Sequence, residues 1–169
     1  MNFHRDNYRL RIDRPPRLSA VSVAVPVVTA VVIGDQLTKA VAAHGGLVAH
    51  NPAYALGVIG GPAPLLIAGT AIVLIAFFAL IARPAVAIGV SPIIPALIAG
   101  GMLGNALDRI RYGAARDFLR TPWAIVNLAD LAVAAGIVAL VISLAWHVYQ
   151  PRPASISASA RTGGRAAHR

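Results

Sequence analysis

The chain has 169 residues, 57% hydrophobic and 12% charged, with fifteen Lys and Arg against six acidic residues and a net charge of +9. So apolar a composition excludes disorder, which needs low hydrophobicity, and sits badly with a soluble domain, where about a quarter of residues are charged. The absence of cysteine excludes a disulfide framework, a thiol nucleophile and a thiolate zinc site, and it leaves the redox compartment open.

Residues 1–17 carry Arg5, Arg9, Arg11, Arg14 and Arg17 and read as a basic cytoplasmic segment. Residues 18–34, 40–82, 84–107 and 131–151 then contain no Asp, Glu, Lys or Arg. A bilayer core needs roughly 20 apolar residues per helix. The first stretch predicts one span running a few residues past Gly34. The second is too long for one span and is broken by Gly45-Gly46, Asn51-Pro52 and Gly60-Gly61-Pro62. It therefore predicts the tail of the first helix, a loop, and a second helix over 63–82. A third helix is predicted over 91–110 and a fourth over 127–148. A basic segment before an apolar run also has the form of a signal peptide. No small-x-small cleavage site is evident and three spans follow, so the first helix is read as retained. Residues 149–169, rich in Ser, Ala, Arg and Gly, read as a disordered tail. The expectation is an all-α membrane protein, its transmembrane domain covering 18–148, with a small extracytoplasmic loop region over the outer helix ends.

An even number of spans puts both termini on one side. Ten basic residues fall on that side and five on the other, namely Lys39, Arg109, Arg111, Arg116 and Arg120. The positive-inside rule then places both termini in the cytoplasm. The positive charge reads as topology and attraction to anionic lipid. Nucleic acid is not the expected partner, because no basic face is interleaved with aromatics. Tyr112, Trp123, Trp146 and Tyr149 lie near helix ends, as interfacial aromatics do.

Connectivity brings the polar residues together. In an up-down-up-down bundle, Asp35 and Lys39, then Asn51, then Asn105, Asp108 and Arg109, then Asn127 and Asp130 all reach one membrane face, with Asp117 in the last loop. Ionisable groups within membrane segments are costly and point to a functional site. Asp35 and Lys39 have i,i+4 spacing; Asn105 lies three and four residues from Asp108 and Arg109; Asn127 and Asp130 are i,i+3. Ala96, Gly100 and Gly104 form a small-residue stripe suited to close helix packing. Structural roles compete with catalytic ones. Asp35-Lys39 also reads as an interfacial ion pair, Asp108-Arg109 as a local pair fixing a helix end, and Asn127 as a helix cap. No histidine cluster with metal-ligand spacing occurs, so no metal or cofactor is expected. Asp117 and Asp130 at one rim, in a chain without Glu or Cys, make a carboxylate dyad the most economical chemistry.

Four blocks resemble the lipoprotein signal peptidases, the signal peptidase II family of membrane aspartyl proteases. They are Asp35-Gln-Leu-Thr-Lys39; Asn51-Pro-Ala-Tyr-Ala-Leu-Gly57; Gly100-Gly-Met-Leu-Gly-Asn-Ala-Leu-Asp-Arg109 with Gly113 and Asp117-Phe118; and Asn127-Leu-Ala-Asp130. The resemblance covers residues 18–148 and implies that Asp117 and Asp130 are the catalytic pair. It further implies that Asn51 and Arg109 hold the substrate backbone and that Asn105, Asp108 and Asn127 position the pair. Asp35 and Lys39 would shape a lipid and substrate groove. The implied substrate is a diacylglyceryl-modified prolipoprotein, cut before its lipidated cysteine by a monomer at the outer face of the bacterial inner membrane. No cofactor is implied. Leu56, Ala115 and Val126 depart from residues common in the family, and the segment between Asp117 and Asp130 is short for it. A catalytically inactive relative is one alternative. A CDP-alcohol-type head-group transferase is another, echoed by Asp108, Gly113 and Asp117, although Thr121 stands where a further metal-binding Asp would be needed. A proton- or ion-coupled carrier is a third; its carboxylates would be expected at the bilayer midplane.

Overall fold

The computed structural model describes residues 19–53 and 60–149, so the expectations for 1–17, for Leu56 and for the tail beyond 149 lie outside the described residues. Among the described residues, four helices are long and apolar enough to cross a membrane: α1 (Ala20–His44), α2 (Ala63–Ala87), α3 (Ile93–Tyr112) and α4 (Leu128–Tyr149). All four start within about two residues of the sequence expectation. Ser19 opens α1, its hydroxyl accepting the Ser22 N–H at 3.1 Å.

Helix α2 runs five residues past its predicted end. A π-helical turn at Phe78–Ala82 carries it past that point, and the helix resumes over Arg83–Ala87 in spite of Pro84. Proline lacks an N–H, and a widened turn before it absorbs the missing bond without ending the helix. Arg83 stays exposed at the helix end.

Helix α3 is the hub. Of its most apolar window 56% is buried within the bundle, against 17% or less for the other three. Gly104 faces α1, where an added Cβ would stand 2.8 Å from Oδ2 of Asp35. Gly101 faces α4, where a Cβ would collide with the Ala129 carbonyl and approach Cγ2 of Val133 to 2.7 Å. The predicted stripe thus brings α1 close against α3, and Gly101, which lies outside it, does the same for α4. Outward, the helices carry Val25, Leu37, Val41, Ile75, Leu80 and Ile142, all exposed. So broad an apolar surface suits hydrocarbon and not water.

Helix α1 is inside out by soluble standards: its buried residues are Asp35, Lys39 and Ala42, while Val21, Val25, Ile33, Leu37 and Val41 are exposed. Over the same end of the bundle the loops form two small sheets, a departure from a purely helical reading. Strand β1 (Ala49–Asn51) pairs antiparallel with β2 (Ala115–Asp117), with Ala49 opposite Asp117 and Asn51 opposite Ala115. Strand β3 (Leu119–Arg120) pairs with β4 (Ile125–Val126). The short segment between Asp117 and Asp130 is therefore a tight hairpin, closed by the Thr121 N–H on the Ala124 carbonyl at 2.8 Å and by the Thr121 hydroxyl on the same carbonyl at 2.7 Å. Gly113 makes the turn from α3 into β2 possible, with φ +74 and its N–H returning to the Arg109 carbonyl at 3.0 Å.

Candidate active site

Asp117 ends β2 and is 2% exposed. Its Oδ2 accepts from Nδ2 of Asn51 at 2.9 Å, across the β1–β2 pair, and its Oδ1 accepts from Nδ2 of Asn127 at 2.6 Å. Asp130 lies in the first turn of α4, half-buried. Its Oδ1 accepts from Nδ2 of Asn105 at 2.8 Å and its Oδ2 from the Asn127 N–H at 3.2 Å. In return the Asp130 N–H donates to Oδ1 of Asn127 at 2.9 Å. That reciprocal arrangement is a capping box built from Asn and Asp, so the cap expected of Asn127 is present. It also sets a carboxylate where the free N–H groups of a helix start favour negative charge.

Both carboxylates are thus oriented by amides from three elements. Burial pushes the Asp117 carboxyl above its ordinary value, and the charge of Asp130 adds to the rise. The hydrogen bonds from Asn51 and Asn127 and the charge of Lys39 work in the other direction. Coupling of this kind means that protons leave the pair in two steps belonging to both residues.

Behind the pair lies a second layer. Asn105 Oδ1 accepts from Nζ of Lys39 at 3.0 Å and from Nδ2 of Asn127 at 2.9 Å, which turns its own Nδ2 toward Asp130. Lys39 meets Asp35 at 2.8 Å and Asp108 at 3.0 Å. Asp35 Oδ1 in turn accepts the Ala129 N–H at 2.9 Å, fastening α4 to α1. The interfacial ion pair expected of Asp35 and Lys39 exists but is wholly buried, so neither side chain lines an open groove.

The local Asp108–Arg109 pair is not formed. Consecutive helix residues point about 100° apart, and the two separate accordingly. Asp108 turns to Lys39 and to Arg116, the latter at 2.8 Å. Arg109 reaches the Ala53 carbonyl at 2.6 Å and the Asn105 carbonyl at 3.2 Å. It is 3% exposed and holds the segment after Asn51 down onto α3.

Two participants were missed by motif reading. Gln36 donates to Asp108 at 3.1 Å and to the Gly104 carbonyl at 3.2 Å. Arg116 grips Asp108 and lies over the Tyr112 ring, 4.3 Å from its centroid. Strand alternation was the available signal for Arg116, since neighbours in a strand face opposite ways and Asp117 already claims the site side. Among the described residues no three His, Asp or Glu side chains converge in a way that could hold a metal ion.

A family model for signal peptidase (SPase) II matches residues 27–146. The lipoprotein signal peptidase of Moorella thermoacetica is 34% identical over 108 residues, 60% of this chain and 66% of that protein. That of Syntrophus aciditrophicus is 37% identical over 108 residues, 56% of this chain and 65% of that protein. That of Methylorubrum extorquens is 40% identical over 77 residues, 43% of this chain and 42% of that protein. The matched part of the chain therefore spans less than two thirds of each of these relatives. A bacterial membrane enzyme solved by the in meso method at 2.3 Å superposes with a TM-score of 0.63 at 25% identity, covering 76% of this chain and 91% of that one. A second, at 1.9 Å, gives 0.59 at 26% identity, covering 73% and 93%.

Proposed function

Because the chain belongs to the signal peptidase II family, we propose that it is a membrane-embedded aspartic endopeptidase that removes signal peptides from diacylglyceryl-modified prolipoproteins, cutting before the lipidated cysteine. The observation that carries this reading is the amide frame around Asp117 and Asp130, which orients two carboxyl groups at one rim of the bundle and leaves the Asp130 side half-open.

Two nearby carboxylates cannot both ionise cheaply, so the pair holds one proton between them. Burial favours Asp117 as its holder. The ionised member takes a proton from a water molecule, and that water attacks the scissile carbonyl carbon. The protonated member donates a hydrogen bond to the carbonyl oxygen as negative charge develops there. The proton taken from water then goes to the leaving amine. Asn105 and Asn127 hold the pair in register, and Asp108, Asp35 and Lys39 support them from behind. Asn51, half-buried at the rim, contacts the substrate backbone; Arg109 acts through the Ala53 carbonyl that it anchors. No cofactor takes part.

The four spans suit such a substrate, since diacylglycerol cannot leave the bilayer and the enzyme has to receive it laterally. The basic residues support an inner-membrane orientation with both termini in the cytoplasm and the carboxylate pair near the outer face. The carrier alternative is disfavoured by a carboxylate pair at the helix ends. The head-group transferase alternative is disfavoured by Asp108, whose two oxygens are taken by Lys39, Gln36 and Arg116.

The test is cleavage of a diacylglyceryl-modified prolipoprotein by the purified full-length chain in detergent, beside Asp117→Asn and Asp130→Asn. Cleavage before the lipidated cysteine, insensitive to chelator and lost in both variants, is the expected result. A well-folded wild type that cuts nothing while another family member is active would overturn the proposal in favour of an inactive relative.

A further inference from the structure

Arg116 adjoins Asp117 but points away from it. Its side chain donates from Nη2 and Nε to Oδ1 of Asp108, at 2.8 and 3.3 Å, and from Nη2 to Oε1 of Gln36 at 3.0 Å. Its backbone N–H donates to Oδ2 of Asp108 at 2.9 Å. Asp108 also meets Lys39, and Lys39 meets Asp35. Two carboxylates and two cations, with side chains between 0% and 9% exposed, therefore form one contiguous buried set whose formal charges cancel.

This set reaches the carboxylate pair through a single amide. Lys39 donates to Asn105, and Asn105 donates to Asp130. Lys39 alone could balance one of its two carboxylates; the second is balanced by Arg116. Charges buried at this depth interact several times more strongly than in water. An unbalanced negative charge here would favour the protonated forms of the neighbouring pair.

We infer that Arg116 is a positioning residue which, by completing this neutral set, fixes the pH range over which Asp117 and Asp130 hold a single proton between them. The inference rests on the proposed peptidase reading for its kinetic consequences, and on geometry alone for the rest. The other charged or titratable groups near the pair, among the described residues, are few. From α1 come Lys39 and Asp35, and from α3 Asp108, Arg109 and Tyr112. From β1 comes His50, exposed and opposite Arg116 in the strand pair, and from β3 the exposed Arg120. Helix α4 contributes only Asp130 itself at this end.

The backbone bond from residue 116 to Asp108 survives any substitution except proline. The charge can therefore be removed while β2 stays attached to α3. The experiment records pH–rate profiles of the full-length protein in detergent for wild type, Arg116→Gln, Arg116→Lys, Asp108→Asn and the Arg116→Gln/Asp108→Asn double variant. Both limbs of the Arg116→Gln profile are expected to move up by about one pH unit, and those of Asp108→Asn to move down. Arg116→Lys keeps the wild-type position, and the double variant, neutral again, returns to it. In parallel, the carboxyl C=O infrared band that disappears in Asp117→Asn is titrated in each protein, a readout that needs no turnover. If wild type cleaves nothing, the peptidase reading falls and the infrared titration still decides this one. A band and profile unmoved in Arg116→Gln would overturn the inference, as would an Arg116→Lys shift equal to that of Arg116→Gln. Should Arg116→Gln fail to fold, an Asp108→Asn titration that does not move down overturns it equally.

Discussion

Asn127 donates its Nδ2 to Oδ1 of Asp117 at 2.6 Å while its own Oδ1 caps α4 by accepting the Asp130 N–H at 2.9 Å. One side chain thus performs two separable tasks with two different atoms. The acceptor end stabilises a helix start; the donor end orients a carboxylate on another element. Serine caps helices about as well as asparagine, but it is too short to reach Asp117.

Asn127→Ser is therefore expected to melt above Asn127→Ala by about the 1 kcal/mol of cap that serine keeps, while both lose the buried donor shared by Asp117 and Asn105. Both variants are expected to lose cleavage activity by at least about tenfold, the order of a lost charge-assisted hydrogen bond. Thermal melts and initial rates on the same preparations check this. Equal activity in Asn127→Ser and wild type would mean that the amide donor does not matter.

A second expectation concerns Gly101. A methyl group there meets the Ala129 carbonyl and Val133 Cγ2, so α4 has to back away from α3. Overpacking of this sort costs about 1–3 kcal/mol, and the displaced end of α4 carries both Asn127 and Asp130. Gly101→Ala should lower the melting temperature and reduce activity together. Gly69→Ala is the control, since a Cβ at Gly69 meets nothing within 4 Å and alanine is the better helix former. Similar melts for the two variants would remove close packing as the reason for glycine at 101.

The four spans were legible because charge-free runs of membrane length admit few other readings, and the carboxylate pair was legible because connectivity alone sends both residues to one rim. Other features were not. The second helix was expected to end at residue 82, yet a π-helical turn carries α2 past Pro84. Asp108 and Arg109 looked like partners because they are adjacent, and helical geometry sends them to different neighbours. Strand alternation can turn Arg116 away from the Asp117 side, but its meeting with Asp108 depends on how β2 folds back beside α3. Asp35 and Lys39 read as interfacial because pairs near helix ends commonly are, whereas Gly104 lets α1 approach until both are sealed.

Lys39 is the shared cation of two buried carboxylates, and removing it leaves both facing a low-dielectric interior. Breaking a buried pair from one side costs about 3–5 kcal/mol, a large part of the roughly 5–15 kcal/mol that holds a typical domain folded. Lys39→Met is expected to reduce sharply the monodisperse fraction recovered in detergent. The Asp35→Asn/Lys39→Met double variant should recover much of that fraction, because Asp108 keeps Arg116. A Lys39→Met protein as stable as wild type would show that the ammonium is not needed for the fold.

The last expectation follows from the burial of Asp117, whose carboxyl is raised from the ordinary 3.8. Below that value the residue is protonated in both folded and unfolded chains, and its ionisation costs nothing. As pH rises, the unfolded chain releases this proton first and the folded chain later. The folded state then binds more protons than the unfolded one, so this residue's contribution to stability falls with rising pH until the folded carboxyl has ionised as well. Asp117→Asn cannot ionise and escapes the loss. It also exchanges an acceptor oxygen for an amide donor opposite Asn51 or Asn127, a penalty that does not vary with pH. The melting temperature of Asp117→Asn minus that of wild type is therefore expected to increase as pH is raised from about 4 toward neutrality, whatever its starting sign. Thermal melts of both proteins in one detergent across that range measure it directly. A difference that stays flat or shrinks with rising pH would mean that the carboxyl is not held above its ordinary value, and the assignment of the shared proton to Asp117 would go with it.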